Sequence, residues 1–63
     1  MDSYKLKCNE GEGDFDNLKE AELYAGMLAL NGFSSVLFRE DVNGGWNYVD
    51  TFVGIDWTGM TLN

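Results

Sequence analysis

One segment, Asn17 to Gly32, carries a helix start signal at one end and a stop signal at the other, and it sorts the rest of the chain into strands. Asn17 suits the N-cap, and Glu20 three positions on completes a capping-box pattern in which Asn stands for Ser or Thr. Glu20 and Glu22 also complement the positive end of the helix dipole. Leu18, Ala21, Ala25 and Leu28 recur at helical spacing, with Leu23, Met27 and Leu30 beside them. The spacing predicts a helix over 18–31 whose broad apolar face lies across a sheet. Asn31-Gly32 ends it, with Gly32 left-handed at C′ and Phe33 folding back on Leu28. Gly26 costs a helix about 1 kcal/mol relative to Ala, and a close approach of helix to strand is the expected reason.

The flanking segments read as strands. Tyr4 to Cys8 alternates apolar and basic residues, so Tyr4, Leu6 and Cys8 should face a core while Lys5 and Lys7 face solvent. Ser35–Glu40 and Trp46–Val53 form two further strands, joined through Asn43-Gly44, a pair that tolerates positive φ in a tight hairpin. Strict alternation sets Trp46, Tyr48, Asp50 and Phe52 on one face of the last strand, with Asn47, Val49, Thr51 and Val53 on the other. Asn9 to Asp16, with Gly11 and Gly13, reads as an acidic connection. Ile55 to Thr58 is either a short fourth strand or a tail over the open sheet face. The order strand, helix, strand, strand implies a single α+β domain over residues 1–63, with one helix on a three- or four-stranded sheet.

A chain of 63 residues hides only about 60% of its unfolded surface, so the domain is marginal. Cys8 is the lone cysteine and there is no His, which leaves neither an intrachain disulfide nor a common zinc site as a staple. Packing must hold the fold, and four Phe, three Tyr and two Trp supply the means. No apolar stretch reaches the length of a membrane span. Met1-Asp2-Ser3-Tyr4 lacks the basic-then-apolar pattern of a secretory signal. A cytoplasmic location is expected.

The net charge is −7, and six carboxylates fall within thirteen residues: Glu10, Glu12, Asp14, Asp16, Glu20 and Glu22, answered only by Lys19. Such a surface repels phosphate and attracts basic proteins or cations. Enzymatic chemistry is not expected. There is no His, Cys8 alternates onto an apolar face where a thiol is inert, and the chain is too small for an ordinary substrate cleft. The oxygen-rich run Asn9–Asp16 fails the calcium-loop pattern in either register, so no metal or other cofactor is expected. Lys5, Lys7 and Arg39 are too few against 11 acids for direct nucleic-acid binding. In an extended segment, however, Glu10, Glu12, Asp14 and Asp16 would form a row at about 7 Å spacing. That spacing is close to the separation of phosphates along a DNA strand, so the row could occupy a groove built for nucleic acid.

A tiny, acidic, His-free and cysteine-poor α+β chain with this acidic row and exposed aromatics resembles the small host-takeover inhibitors encoded by bacteriophages. The resemblance implies a protein that blocks a basic site on a host enzyme in the host cytoplasm. The expected function is therefore non-enzymatic occupation of a basic surface of another protein, a nucleic-acid-binding surface being one such. Glu10, Glu12, Asp14 and Asp16 would steer the encounter, and Trp46, Tyr48 and Trp57 would anchor it. The alternative is an assembly module that homodimerises through an open apolar sheet face.

Overall fold

The computed structural model describes residues 3–59. The chain runs through β1 (Tyr4–Cys8), β2 (Gly11–Phe15), α1 (Leu18–Leu30), β3 (Ser35–Glu40) and β4 (Trp46–Phe52), then a short 3-10 turn at Trp57–Gly59. The four strands form an antiparallel sheet in the order β2-β1-β3-β4. β1 and β2 make one hairpin and β3 and β4 another, and α1 carries the chain from the outer edge of β2 to the far side of β1. The fold is α+β.

The fourth strand is not the Ile55–Thr58 segment. It is the run expected to be an acidic connection. Gly11, Glu12, Gly13 and Asp14 are all poor strand formers, and Phe15 is the only large apolar residue among them, so local preference argues against a strand. Pairing with β1 overrides it: Phe15 lies opposite Tyr4, Asp14 opposite Lys5 and Glu12 opposite Lys7. Opposite charges directly across a ladder stabilise the pair.

The core lies between the sheet and α1. Tyr4, Leu6 and Leu37 meet Ala21 and Ala25, with Phe15, Leu28 and Phe52 at the margin. Asn17 caps the helix as expected, its Oδ1 accepting the Lys19 N–H at 2.8 Å and the Glu20 N–H at 3.3 Å. At the other end Gly32 has φ 87°, and its N–H donates to Ala29 while that of Phe33 donates to Leu28. These are the two bonds of a Schellman stop.

Two helix expectations are overturned. Leu23, Met27 and Leu30 do not lie on the sheet; they are 65%, 60% and 60% exposed. Nor does Gly26 mark a close approach to a strand, because a Cβ placed there meets nothing within 4 Å. The close approach falls elsewhere, at Gly54, where a Cβ would come within 2.6 Å of the Gly32 backbone. This contact draws the segment after β4 against the helix end. The Ile55 N–H donates to Ala29 at 2.9 Å, and Trp57 Nε1–H donates to the Leu30 carbonyl at 2.9 Å. The tail as far as Gly59 thus packs on the helix terminus, and among the described residues nothing covers the other sheet face.

The β3–β4 hairpin also differs from a two-residue reversal. Only Gly44 has positive φ, at 83°, while Asn43 does not. Asp41 N–H bonds Gly45 and the Gly44 N–H bonds Asp41, enclosing a three-residue loop with its left-handed position at Gly44. Asp41 ties the loop together: Oδ1 accepts the N–H groups of Asn43 and Gly45 at 2.9 and 2.8 Å, and Oδ2 accepts Asn47 Nδ2 at 3.2 Å. The Gly45 bond, then those from Asn43 and Asn47, hold the Asp41 carboxyl below its ordinary value of 3.8. A depressed folded pKa contributes stability above the unfolded pKa and loses it as pH falls through the folded one. Asp41→Ala should therefore be less stable than wild type at neutral pH, with the gap closing below about pH 4. Urea melts across pH, followed by Trp fluorescence, check this; a gap unchanged at about pH 2 would mean that the carboxylate charge plays no part.

Candidate functional site: the uncovered sheet face

Because Tyr4, Leu6, Ser35 and Leu37 turn toward the helix, their neighbours Lys5, Lys7, Val36 and Phe38 turn the other way. Register extends this face across all four strands. On β2, Glu12 pairs with Lys7 and Asp14 with Lys5, so both acids share it; Glu10 and Asp16 flank the strand at its ends. On β4, Trp46 pairs with Glu40, Tyr48 with Phe38 and Thr51 with Val36. A register shift between Leu37 and Phe38 breaks the alternation of β4. Asp50 and Phe52 consequently pair with Leu37 and Ser35 on the helix side, and Thr51 joins Trp46 and Tyr48. Strict alternation had separated Thr51 from those rings and grouped Asp50 and Phe52 with them; the bulge corrects both placements.

From one edge to the other the face reads as an acidic strand, a lysine row, then an aromatic band. Lys5 Nζ stands 4.7 Å from the Trp46 ring centre and Lys7 Nζ 5.6 Å from that of Phe38, cation–π distances. Both ammonium groups also reach Glu12, at 3.9 and 3.5 Å. These contacts are solvent-exposed and add little to stability, yet they hold the lysines between the acids and the rings. Tyr48 Oη and Thr51 Oγ1 lie 2.8 Å apart, fixing the phenol on the face. Lys5, Lys7, Phe38 and Trp46 enclose a depression of about 70 Å³, smaller than a substrate cleft.

Five of the seven residues singled out from sequence thus border one surface: Glu12, Asp14, Asp16, Trp46 and Tyr48; Glu10 sits in the β1–β2 turn and lines a hollow with the helix-side Leu6, Tyr24 and Leu28. Trp57 stands apart, bonded to the carboxyl end of α1. The residue that sequence reasoning missed is Phe38; the lysines were weighed there only as contacts to nucleic acid, and here they bridge acids and rings. Their signal was the alternation of β1 and β3, readable once β2 is known to be a strand. Among the described residues no group of three acids or thiols converges on a metal-sized site. No described helix is long and apolar enough to cross a membrane. Comparison of the chain with protein-family models, curated proteins and solved structures returned no match.

Proposed function

We propose that this protein is a non-enzymatic binder that applies its uncovered sheet face to a basic surface of another protein, and so inhibits or regulates it. The supporting observation is the assembly of an acidic edge and an aromatic band on one face that neither helix nor tail covers. The aromatics Phe38, Trp46 and Tyr48 offer area for a desolvated centre, and the acids stand at the rim, where charge acts on encounter more than on affinity. A partner surface that normally holds nucleic acid would match the acidic edge in sign. In this reading the protein acts as a phage-type inhibitor of a host enzyme. The alternative, dimerisation of two such faces, sets the row of Lys5 and Lys7 of one copy among the charges of the other, which disfavours a dry contact.

Capture from bacterial lysate on immobilised protein, read by mass spectrometry at ~0.05 and ~0.5 M salt, tests the proposal. Basic proteins should be retained at low salt, released at high salt, and retained poorly by Trp46→Ala/Tyr48→Ala. Capture that ignores both salt and the double substitution would overturn it.

A further inference from the structure

The helix presents a second surface, on the opposite side of the molecule from the face just described. Lys19, Leu23, Gly26 and Leu30 follow one line down the outward side of α1, with Met27 beside it, at spacings of three and four residues. A solvated helix carries polar residues there; this one is apolar on both sides. Trp57, half-exposed, extends the patch, its ring held beside Leu30 by the Nε1 bond. Gly26 is the one glycine within α1, and no described residue packs against the place a side chain there would take. A glycine in the middle of an outward apolar line is explained by another backbone passing close to it.

We infer that the outward face of α1 is the contact of a two-fold homodimer, with the two helices antiparallel and crossing at Gly26. The surface is self-complementary about that point. Leu23 lies before it and Met27 and Leu30 after it, so each copy sets leucine and methionine against the other's, as an isologous contact requires. The charges agree. Lys19 makes no ion pair among the described residues, and the last turn of α1 carries no basic residue. In the antiparallel pair Lys19 stands about 10 Å along the axis from the crossing, level with the negative end of the other copy's helix. The acids of β2 lie behind the sheet, away from the contact. A second copy also supplies what the monomer lacks, since the buried apolar core among the described residues is five side chains, two of them alanine. The dimer leaves both uncovered sheet faces outward, so a partner would meet two of them.

Sedimentation equilibrium of the full chain over a range of concentrations tests the inference, with far-UV circular dichroism on each variant. Wild type should be dimeric. Leu23→Glu should raise the dimer dissociation constant by at least about a hundredfold, since the contact is lost twice. Lys19→Glu should raise it roughly tenfold at low salt and little at high salt. Gly26→Leu should separate the helices without harming the monomer, where position 26 is open, and it carries the test if Leu23→Glu does not fold. Tyr48→Glu, on the sheet face, should leave the dimer dissociation constant unchanged. A wild type still monomeric at about 1 mM overturns the inference. So does a dimer indifferent to Gly26→Leu, or one that Tyr48→Glu dissolves.

Discussion

Leu37→Ala should leave little or no folded protein. Leu37 is fully buried, at the middle of an inner strand, paired with Leu6 on one side and Asp50 on the other, and part of the cluster that holds Ala21 and Ala25. Truncating such a leucine removes its transfer energy and leaves a cavity, together about 2–5 kcal/mol. Typical stability of about 0.05–0.15 kcal/mol per residue puts a chain of this length near 3–9 kcal/mol, so the loss is a large share of the whole. Few large side chains line this core, and the two alanines on the helix cannot move in far without shifting the backbone. Leu28→Ala, which the helical periodicity also marks as a core change, removes a side chain that is only partly buried, and it should cost less. Urea denaturation monitored by circular dichroism measures both. A loss under about 1 kcal/mol for Leu37→Ala, or a larger one for Leu28→Ala, would place the core elsewhere.

The helix and the second hairpin were legible because their signals are local. Asn17, Asn31-Gly32 and Gly44 act within a few residues, through side-chain caps and positive φ, and they occur where those residues predict. What was not legible depends on partners distant in the chain. β2 is a strand because β1 offers lysines and Tyr4 to its acids and Phe15; five residues with two glycines carry no such instruction alone. The bulge opposite Leu37 and Phe38 arises from fitting β4 to β3, and strict alternation therefore misassigned Asp50, Thr51 and Phe52. The orientation of α1 was half right for a related reason. An apolar helix has two plausible inner faces, and only the small size of Ala21 and Ala25, which lets the helix sit close to the sheet, decides between them. The acidic row was found by count and spacing. Its neighbours Lys5, Lys7 and Phe38 could be found only by register.

Replacing Glu10, Glu12, Asp14 and Asp16 together by Gln or Asn should slow association with a basic partner at low salt and leave dissociation almost unchanged. In the folded protein Asp14 and Glu12 lie opposite Lys5 and Lys7, and Glu12 is the one that both lysines approach. Removing the acids does more than neutralise the edge: it leaves Lys5 and Lys7 against Glu40 alone among the described acids of the face, which turns from net acidic to net basic. Steering can raise association rates by about 10- to 1,000-fold at low ionic strength, and reversing the local sign should forfeit at least about tenfold of it. At high salt the screening length falls to a few ångströms, and the variant should converge on wild type. Trp46→Ala should act in the opposite way. It removes a ring from the centre of the face and frees Lys5 from its cation–π contact, so the complex should dissociate faster at every salt concentration. β2 has few packing contacts apart from Phe15, so the quadruple variant needs a circular dichroism control for the fold. Surface plasmon resonance at two ionic strengths separates the effects. An unchanged association rate at low salt for a folded quadruple variant would reduce the acidic edge to a solvated strand, guarding against edge pairing rather than guiding a partner.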